Sequence, residues 1–319
     1  MFDERLLLIG EDGANLLSRS KDNAFFADGK YWVNNHAHVL DATDKPILDY
    51  VAIVINSMKL DDFITGSAQP KLSQDNLNKI PVMLPPLDEQ YRILKEVKHW
   101  FTLIDLIERS KDNLIDAIQQ TKSKILDLAI HGKLVPQDPN DEPANELLKR
   151  LNPKAEIACD NPRYGKSPSG WCFCKISSVV DIINGKSQKN VESTTGKYPI
   201  YGSGGIIGKA TEYTCLAGST IIGRKGTINH PIFVEENFWN VDTAFGMKAN
   251  NQILEDKYFY FFCLSFDFSK LDKSSALPSL TKTAIGNQIL PIPPFAEQHR
   301  IVAKIEELFA QLDKIESSL

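Results

Sequence analysis

Arg224 and Lys225 stand between Gly223 and Gly226 in the stretch IGRKGT (Ile222–Thr227), two cations on a turn that glycine lets come close to another backbone. Lys186, Lys189, Lys209 and Lys282 lie in other Gly-, Ser- or Thr-bearing segments of the same region. Such groups can contact phosphate and so position a nucleic acid, while Gln188, Asn190 and Arg224 carry donors and acceptors able to read base edges. A set of solvated loop cations is the plainer alternative, and residue types alone leave both open. At the start of the chain GEDG (Gly10–Gly13) matches the same turn, with Glu11 and Asp12 in place of the cations. Acidic side chains repel phosphate, although they can accept from cytosine N4.

Catalysis has no comparable footing. SGGIIGKA (Ser203–Ala210) comes near a phosphate-binding P-loop, but Ser203 stands where glycine is required and Ala210 where a Mg2+-binding hydroxyl is required. IPPF (Ile292–Phe295) is similar to a loop of adenine methyltransferases, yet Ile292 cannot hold an adenine amino group. His36 and His38 alternate as on a strand surface and have no third partner, so no metal is expected. No Ser/His/Asp or Cys/His set is spaced for nucleophilic chemistry. We expect neither a catalytic residue nor a cofactor.

The net charge of −5 looks wrong for a nucleic-acid binder, but it is unevenly spread. Residues 1–84 carry 8 basic and 12 acidic side chains, 85–154 carry 11 and 12, and 293–319 carry 3 and 5. Only 155–292, with 14 and 12, is net positive. Phosphate binding needs a local basic surface, so this pattern permits it in 155–292 and disfavours it in 1–84.

At 319 residues the chain has room for two domains with cores of their own. Hydrophobic content of 42% and charged content of 24% are ordinary for a globular protein. No apolar run approaches the ~20 residues that span a bilayer, and MFDERLLLIG lacks the form of a signal peptide. Five cysteines without a C-x-x-C pair suggest neither a zinc ribbon nor a disulfide framework, and Cys172 and Cys174 read as small buried hydrophobes. A reducing, cytoplasmic setting and no membrane partner are the expectation.

The elements that would position the cations are written twice. LPPLDEQYRI (Leu84–Ile93) returns 208 residues later as IPPFAEQHRI (Ile292–Ile301), and AQPKLS (Ala68–Ser73) lies over ALPSLT (Ala276–Thr281) at the same shift. With small drifts in register, Trp32 and Ala37 match Trp239 and Ala244. A period this long marks a duplicated module, each copy a globular part followed by a helix. LLLIGEDG, KYWVNNHAHVL, DYVAIVINSM and a strand before the helix make residues 1–84 resemble only the second half of 155–292. Nothing in front of Ile9 matches Trp171–Ser219.

From Asp88 the apolar residues step by four and three: Ile93, Val97, Trp100, Ile104, Ile107, Leu114, Ile118, Ile125 and Leu128. The second copy repeats the seam with Ile301, Ile305, Leu308, Leu312 and Ile315. A period of about 3.5 is that of a coiled coil, and residues 88–131 as one helix would be about 65 Å long. One apolar stripe needs a partner, and the second helix packed antiparallel on the first is the obvious one. The Pro-Pro pairs precede the helices where proline is tolerated, Gly132 is placed to cap the first helix, and a short helix is expected over Ala144–Leu151. Short β-rich runs (SVVDII, STIIG, PIFVEE) and the apolar KYFYFFCLSF, read as a buried helix, make 155–292 an α+β domain.

This pattern resembles the specificity subunit of type I restriction–modification systems. The helix starts are similar to that family's PLPPLxEQxRI signature, and Lys122–Leu151 resembles the end of its central helix and the following turn. GKYPIYGSGGIIG and LPSLTK resemble turns within its recognition domains. The resemblance implies an α+β protein in which two α/β target-recognition domains, here a partial first one, are joined by long antiparallel coiled-coil helices. It divides the chain into 1–84, partial target-recognition domain; 85–154, central helix and turn; 155–292, second target-recognition domain; and 293–319, a short C-terminal helix. It further implies binding to double-stranded DNA at a bipartite target. The helices would dock modification (methyltransferase) subunits, and a restriction subunit would join through the complex. A chain with one full recognition domain could regain two half-sites by pairing with a second copy through its seam. The competing expectation is a coiled-coil adaptor or inhibitor that binds the modification subunit without reading DNA.

Overall fold

The computed structural model describes every residue except 67, 159, 162, 167 and 272–278. Part of the repeated ALPSLT and of LPSLTK, residues 276–278, therefore lies outside the described residues, as does residue 67 beside AQPKLS. Two compact units are formed, Met1–Ser110 and Lys111–Leu319. Helix and sheet are mixed in both, as the α+β reading expects. Among the described residues no helix is long and apolar enough to cross a membrane.

In the first unit three antiparallel strands, β1 (Leu6–Gly10), β2 (Ala24–Ala27) and β3 (Ala37–Leu40), form a sheet in the order β2-β1-β3. Helix α1 (Pro46–Ser57) starts with proline in its first turn, where the missing N–H costs nothing, and buries Leu48, Ala52 and Ile55. Those side chains meet Leu7, Ile9, Ala24 and Leu72 in the unit's core. The short helix α2 (Gln74–Leu77) is capped by Ser73, whose hydroxyl accepts from the Asn76 N–H. Helix α3 (Leu87–Ile130) then runs 44 residues and carries the chain from one unit into the next.

α3 ends as its sequence dictates. Gly132 takes φ +64°, with Gly132 N–H donating to Ala129 and Lys133 N–H to Leu128, which satisfies carbonyls the last turn leaves free. In the second unit helix α4 (Ala144–Leu151) follows. Strands come next: β4 (Cys172–Lys175), β5 (Val180–Asn184), β6 (Tyr198–Gly202), β7 (Gly205–Ala210), β8 (Ser219–Gly223), β9 (Ile232–Val234), β10 (Trp239–Asn240) and β11 (Ala244–Ala249). Helices α5 (Asp256–Ser265) and α6 (Lys282–Gly286), strand β12 (Ile289–Ile292) and helix α7 (Phe295–Glu316) complete it. The sheets run β9-β8-β11-β5, β7-β6-β10 and β12-β4. KYFYFFCLSF is indeed helical, burying Tyr258, Phe259, Phe261 and Phe262.

The two units repeat each other residue for residue where their sequences match. Gly10, Ile9, Leu8 and Leu7 of β1 face Ala37, His38, Val39 and Leu40, just as Gly223, Ile222, Ile221 and Thr220 of β8 face Ala244, Phe245, Gly246 and Met247. Thr281 caps α6 through the Ala284 N–H in the same way that Ser73 caps α2.

One expectation fails. The strand expected before the first helix is absent, residues 81–84 being without regular structure, whereas β12 at the matching place pairs with β4. An extended segment becomes a strand only when a neighbour takes its N–H and C=O groups, and the first unit has no described counterpart of β4. Trp32 shows the same loss. Its match Trp239 is buried and donates to the Lys186 carbonyl, in a segment the first unit does not repeat, and Trp32 is 78% exposed.

Candidate nucleic-acid interface

The Arg224–Gly226 turn is fixed from three sides. Arg224 N–H donates to the Thr243 carbonyl (2.8 Å), Leu280 N–H donates to the Arg224 carbonyl (2.9 Å), and Lys225 pairs with Ser279. A Cβ on Gly223 would collide with the Thr227 carbonyl, so only glycine permits this tight a return. The same turn abuts the tip of the β6–β7 hairpin, where Ser203 Oγ lies within 3.6 Å of the place a Cβ on Gly226 would take. The two glycine-bearing motifs thus share one edge of the second unit.

Arg224 is half-buried. Its guanidinium carbon sits 5.8 Å from the Phe245 ring centre, and its Nε is buried without a hydrogen-bond acceptor among the described residues. Packing against the ring holds the guanidinium in place while consuming none of its charge. Lys225 is exposed beside it. Lys282, also exposed, opens α6 one residue after the Thr281 cap, close along the chain to the Leu280 and Ser279 that hold the turn.

The remaining candidates are placed as follows. Lys186 is exposed, with its N–H bonded to Asn240 and its carbonyl accepting from Trp239. Gln188 is half-buried and its carbonyl accepts from Val191 and Glu192, leaving Lys189 and Asn190 exposed on the loop between. Lys209 is exposed on β7, and its carbonyl accepts from Ser193 at the end of that loop. These ties link Gln188–Asn190 to Lys209 through backbone, while Arg224, Lys225 and Lys282 gather at the turn. Among the described residues none of the six cations is ion-paired.

The matching site in the first unit is built on the same backbone and is electrically inverted. Leu72 N–H donates to Glu11 and Glu11 N–H to His36, as Leu280 and Arg224 do in the second. Glu11 is paired with Lys71 at 3.1 Å and Asp12 with His36 at 2.8 Å. His38, opposite Ile9 where Phe245 stands opposite Ile222, hydrogen-bonds through Nε2 to the Leu72 carbonyl.

The seam is covered over part of its length. Ile118 and Ile125 are buried and Leu128 half-buried, as are Ile301 and Ile305 (buried) and Leu308 and Leu312 (half-buried), with α7 antiparallel to the end of α3. Lys122 fixes that pairing through Asp313 (2.7 Å) and Glu316 (2.9 Å). Ile93 and Val97 are half-buried, while Trp100, Ile104, Ile107, Leu114 and Ile315 are exposed, Ile107 by 67%.

Residues 20–116 and 168–318 match the family described as "Type I restriction modification DNA specificity domain". The chain belongs to that family. Among curated members of type I systems it is 24% identical to the EcoAI specificity subunit of Escherichia coli, over 79% of this chain and 57% of that one. It is 25% identical to the putative specificity subunit S.HindORF215P of Haemophilus influenzae, over 98% and 77%. This family member thus spans little more than half the length of the EcoAI subunit. The fold is shared with a chain from a solved type I restriction–modification assembly (TM-score 0.67, 17% identity, 98% of this chain and 76% of that one). It is also shared with the HsdS subunit of Thermoanaerobacter tengcongensis (TM-score 0.53, 16% identity, 85% and 64%).

Sequence reasoning finds the Arg-Lys turn but misses what stands beside it. By residue type Ser203, Ile206 and Ile207 are no more than part of a failed P-loop, and Phe245 is no more than a strand residue. Two glycines followed by adjacent isoleucines were the available signal, since a strand with one buried face alternates.

Proposed function

We propose that this chain acts as a DNA-recognition subunit of a type I restriction–modification complex, itself without catalytic residues or cofactor. In that reading residues 155–292 recognise one half of a bipartite double-stranded target, and residues 1–84 are a partial recognition domain with little affinity for DNA. Residues 85–154 and 293–319 are the helices on which modification subunits dock, and a restriction subunit joins through them. The work is cytoplasmic, where such DNA resides. The observation that carries it is the contrast between the two equivalent turns: Arg224 and Lys225 without an acidic partner among the described residues in one unit, Glu11 and Asp12 closed by Lys71 and His36 in the other. Phosphate is attracted to the first and not to the second.

The exposed stripe Trp100, Ile104, Ile107 and Leu114 favours a further helix as partner. A second copy of the chain, paired through this seam, would bring two 155–292 domains to one DNA and make the target symmetric. The same stripe favours the second reading, an adaptor that holds the modification subunit without reading DNA.

Co-expression with the modification subunit of a type I system, followed by genome-wide mapping of methylated adenine, tests the assignment. A symmetric interrupted target supports recognition by paired 155–292 domains. An assembled complex that writes no methylation overturns DNA recognition and leaves the adaptor.

A further inference from the structure

The β6–β7 hairpin does not behave as half of a sheet face. Its strands pair regularly from Tyr198 with Ala210 to Ile200 with Gly208, and then the register shifts so that Tyr201 faces Ile206. Ile207 is the extra residue of a β-bulge, which turns the strand and re-aims its side chains. As a result two neighbouring apolar residues both project into solvent, Ile206 by 63% and Ile207 by 55%. Beyond them the chain is bare: a side chain at Gly204 or Gly205 would meet nothing within 4 Å. Gly204 and Gly205 therefore form a narrow, uncharged point with open space around them.

Its surroundings are not apolar. Ser203 at the tip packs on the Arg224–Gly226 turn, and the exposed Lys209 follows Ile207 and Gly208 on the same strand, at the base of the bulge. An apolar point beside cations that have no ion-pair partner among the described residues fits a ligand that is anionic on its rails and apolar between them. Duplex DNA has that form, with phosphates on either side of a groove that displays thymine methyl groups.

We propose that the hairpin tip enters a groove of the duplex and packs Ile206 and Ile207 on thymine methyls, with Arg224 and Lys225 on the flanking backbone. The inference rests on the DNA-reading role of residues 155–292 and goes beyond it by assigning two apolar residues a specificity role. Apolar contact with the methyl is one of the few direct readouts that needs no hydrogen bond, and bare glycines let the backbone follow it in.

The test uses the full chain assembled with modification subunits and a duplex that this assembly selects from a randomised library. Binding is followed from about 50 to 200 mM salt. Replacing both residues in the variant Ile206→Ala, Ile207→Ala is expected to weaken binding about tenfold with the salt slope unchanged, since no phosphate contact is lost. Lys225→Ala is expected to flatten the slope instead. A second arm needs no variant: thymines of the selected duplex are exchanged singly for uracil, which removes only the methyl. The wild-type chain is expected to lose affinity at one position or more, and the double variant at none of those.

Equal binding by the double variant and the wild type overturns the inference, as does indifference to every uracil exchange. Loss of assembly with the modification subunit in the absence of DNA also overturns it, by assigning the tip to a protein contact. Failure of the wild-type chain to select or bind any duplex is a different result, and it removes the DNA-reading role itself.

Discussion

Tyr50 and Tyr258 make the same hydrogen bond in the two units: each hydroxyl donates at 3.0 Å to the backbone carbonyl 33 residues further on, Met83 and Pro291. Gln90 and Gln298 repeat the relationship one turn into the following helices, each donating to the carbonyl of the proline five residues back, Pro85 and Pro293. In each unit a helix of the globular part is thus tied to the segment that leads into the long helix, and the first turn of that helix is tied back to the same segment.

The two tyrosines differ in burial, so their loss should differ. Tyr258→Phe strands a buried carbonyl and is expected to cost about 1–3 kcal/mol. Tyr50→Phe, at a site nearer solvent, should cost less, since water can replace the donor. Denaturant unfolding of the two variants measures the difference, and equal losses would count against the joint being stronger in the second unit.

Glu297 gives the chain a pH dependence. It is fully buried at the start of α7 and accepts from Trp171 Nε1 (3.0 Å) and Gln137 Nε2 (3.2 Å). Burial pushes its carboxyl above the usual range, outweighing those two bonds, which favour the anion. The folded state therefore holds the proton more tightly than the unfolded chain. Stability from this group is greatest below the unfolded value of about 4.3 and is lost as pH rises toward the raised folded value. Glu297→Gln should flatten this part of the curve, and melting temperature against pH for both chains checks it. Parallel curves would rule the group out.

Gly132 should not tolerate a side chain. Its φ of +64° suits glycine, and a Cβ would strike the Pro168 ring. Gly132→Ala is expected to destabilise by more than about 1 kcal/mol, with the loss read from thermal unfolding of the full chain. A variant as stable as the parent would mean that the α3 end relaxes away from Pro168.

Lys122 is expected to register α7 against the end of α3. Reversing it as Lys122→Glu should destabilise, and reversing Asp313 and Glu316 to lysine in the same chain should recover the loss. The pair energy is about 0.5–1 kcal/mol, because both acids are partly exposed. A double-mutant cycle on the unfolding free energy measures it, and additive effects would show that the pairing is set by the apolar seam alone.

Whatever depends on near neighbours along the chain is legible in the order of its residues. The duplicated helix starts, the Gly132 stop, the helical KYFYFFCLSF and the seam spacing are local signals, carried by proline, glycine and a period close to 3.5. So is the charge reversal between Glu11-Asp12 and Arg224-Lys225, because the matching turns are equally spaced from matching glycines. Everything that needs a partner from elsewhere came only with the folded chain. Residues 81–84 stand at the place of β12 and have no described strand to pair with; Trp32 has the place of Trp239 and stays exposed. The seam is one pattern in sequence, yet Ile118 and Ile125 are buried where α7 lies on α3 while Trp100 and Ile107 are exposed. Periodicity names the face that wants burial, but only the presence of another surface removes it from water. Likewise the approach of Ser203 to Gly226, on which the proposed interface depends, brings together segments flanking two different sheets, a meeting that no local pattern records.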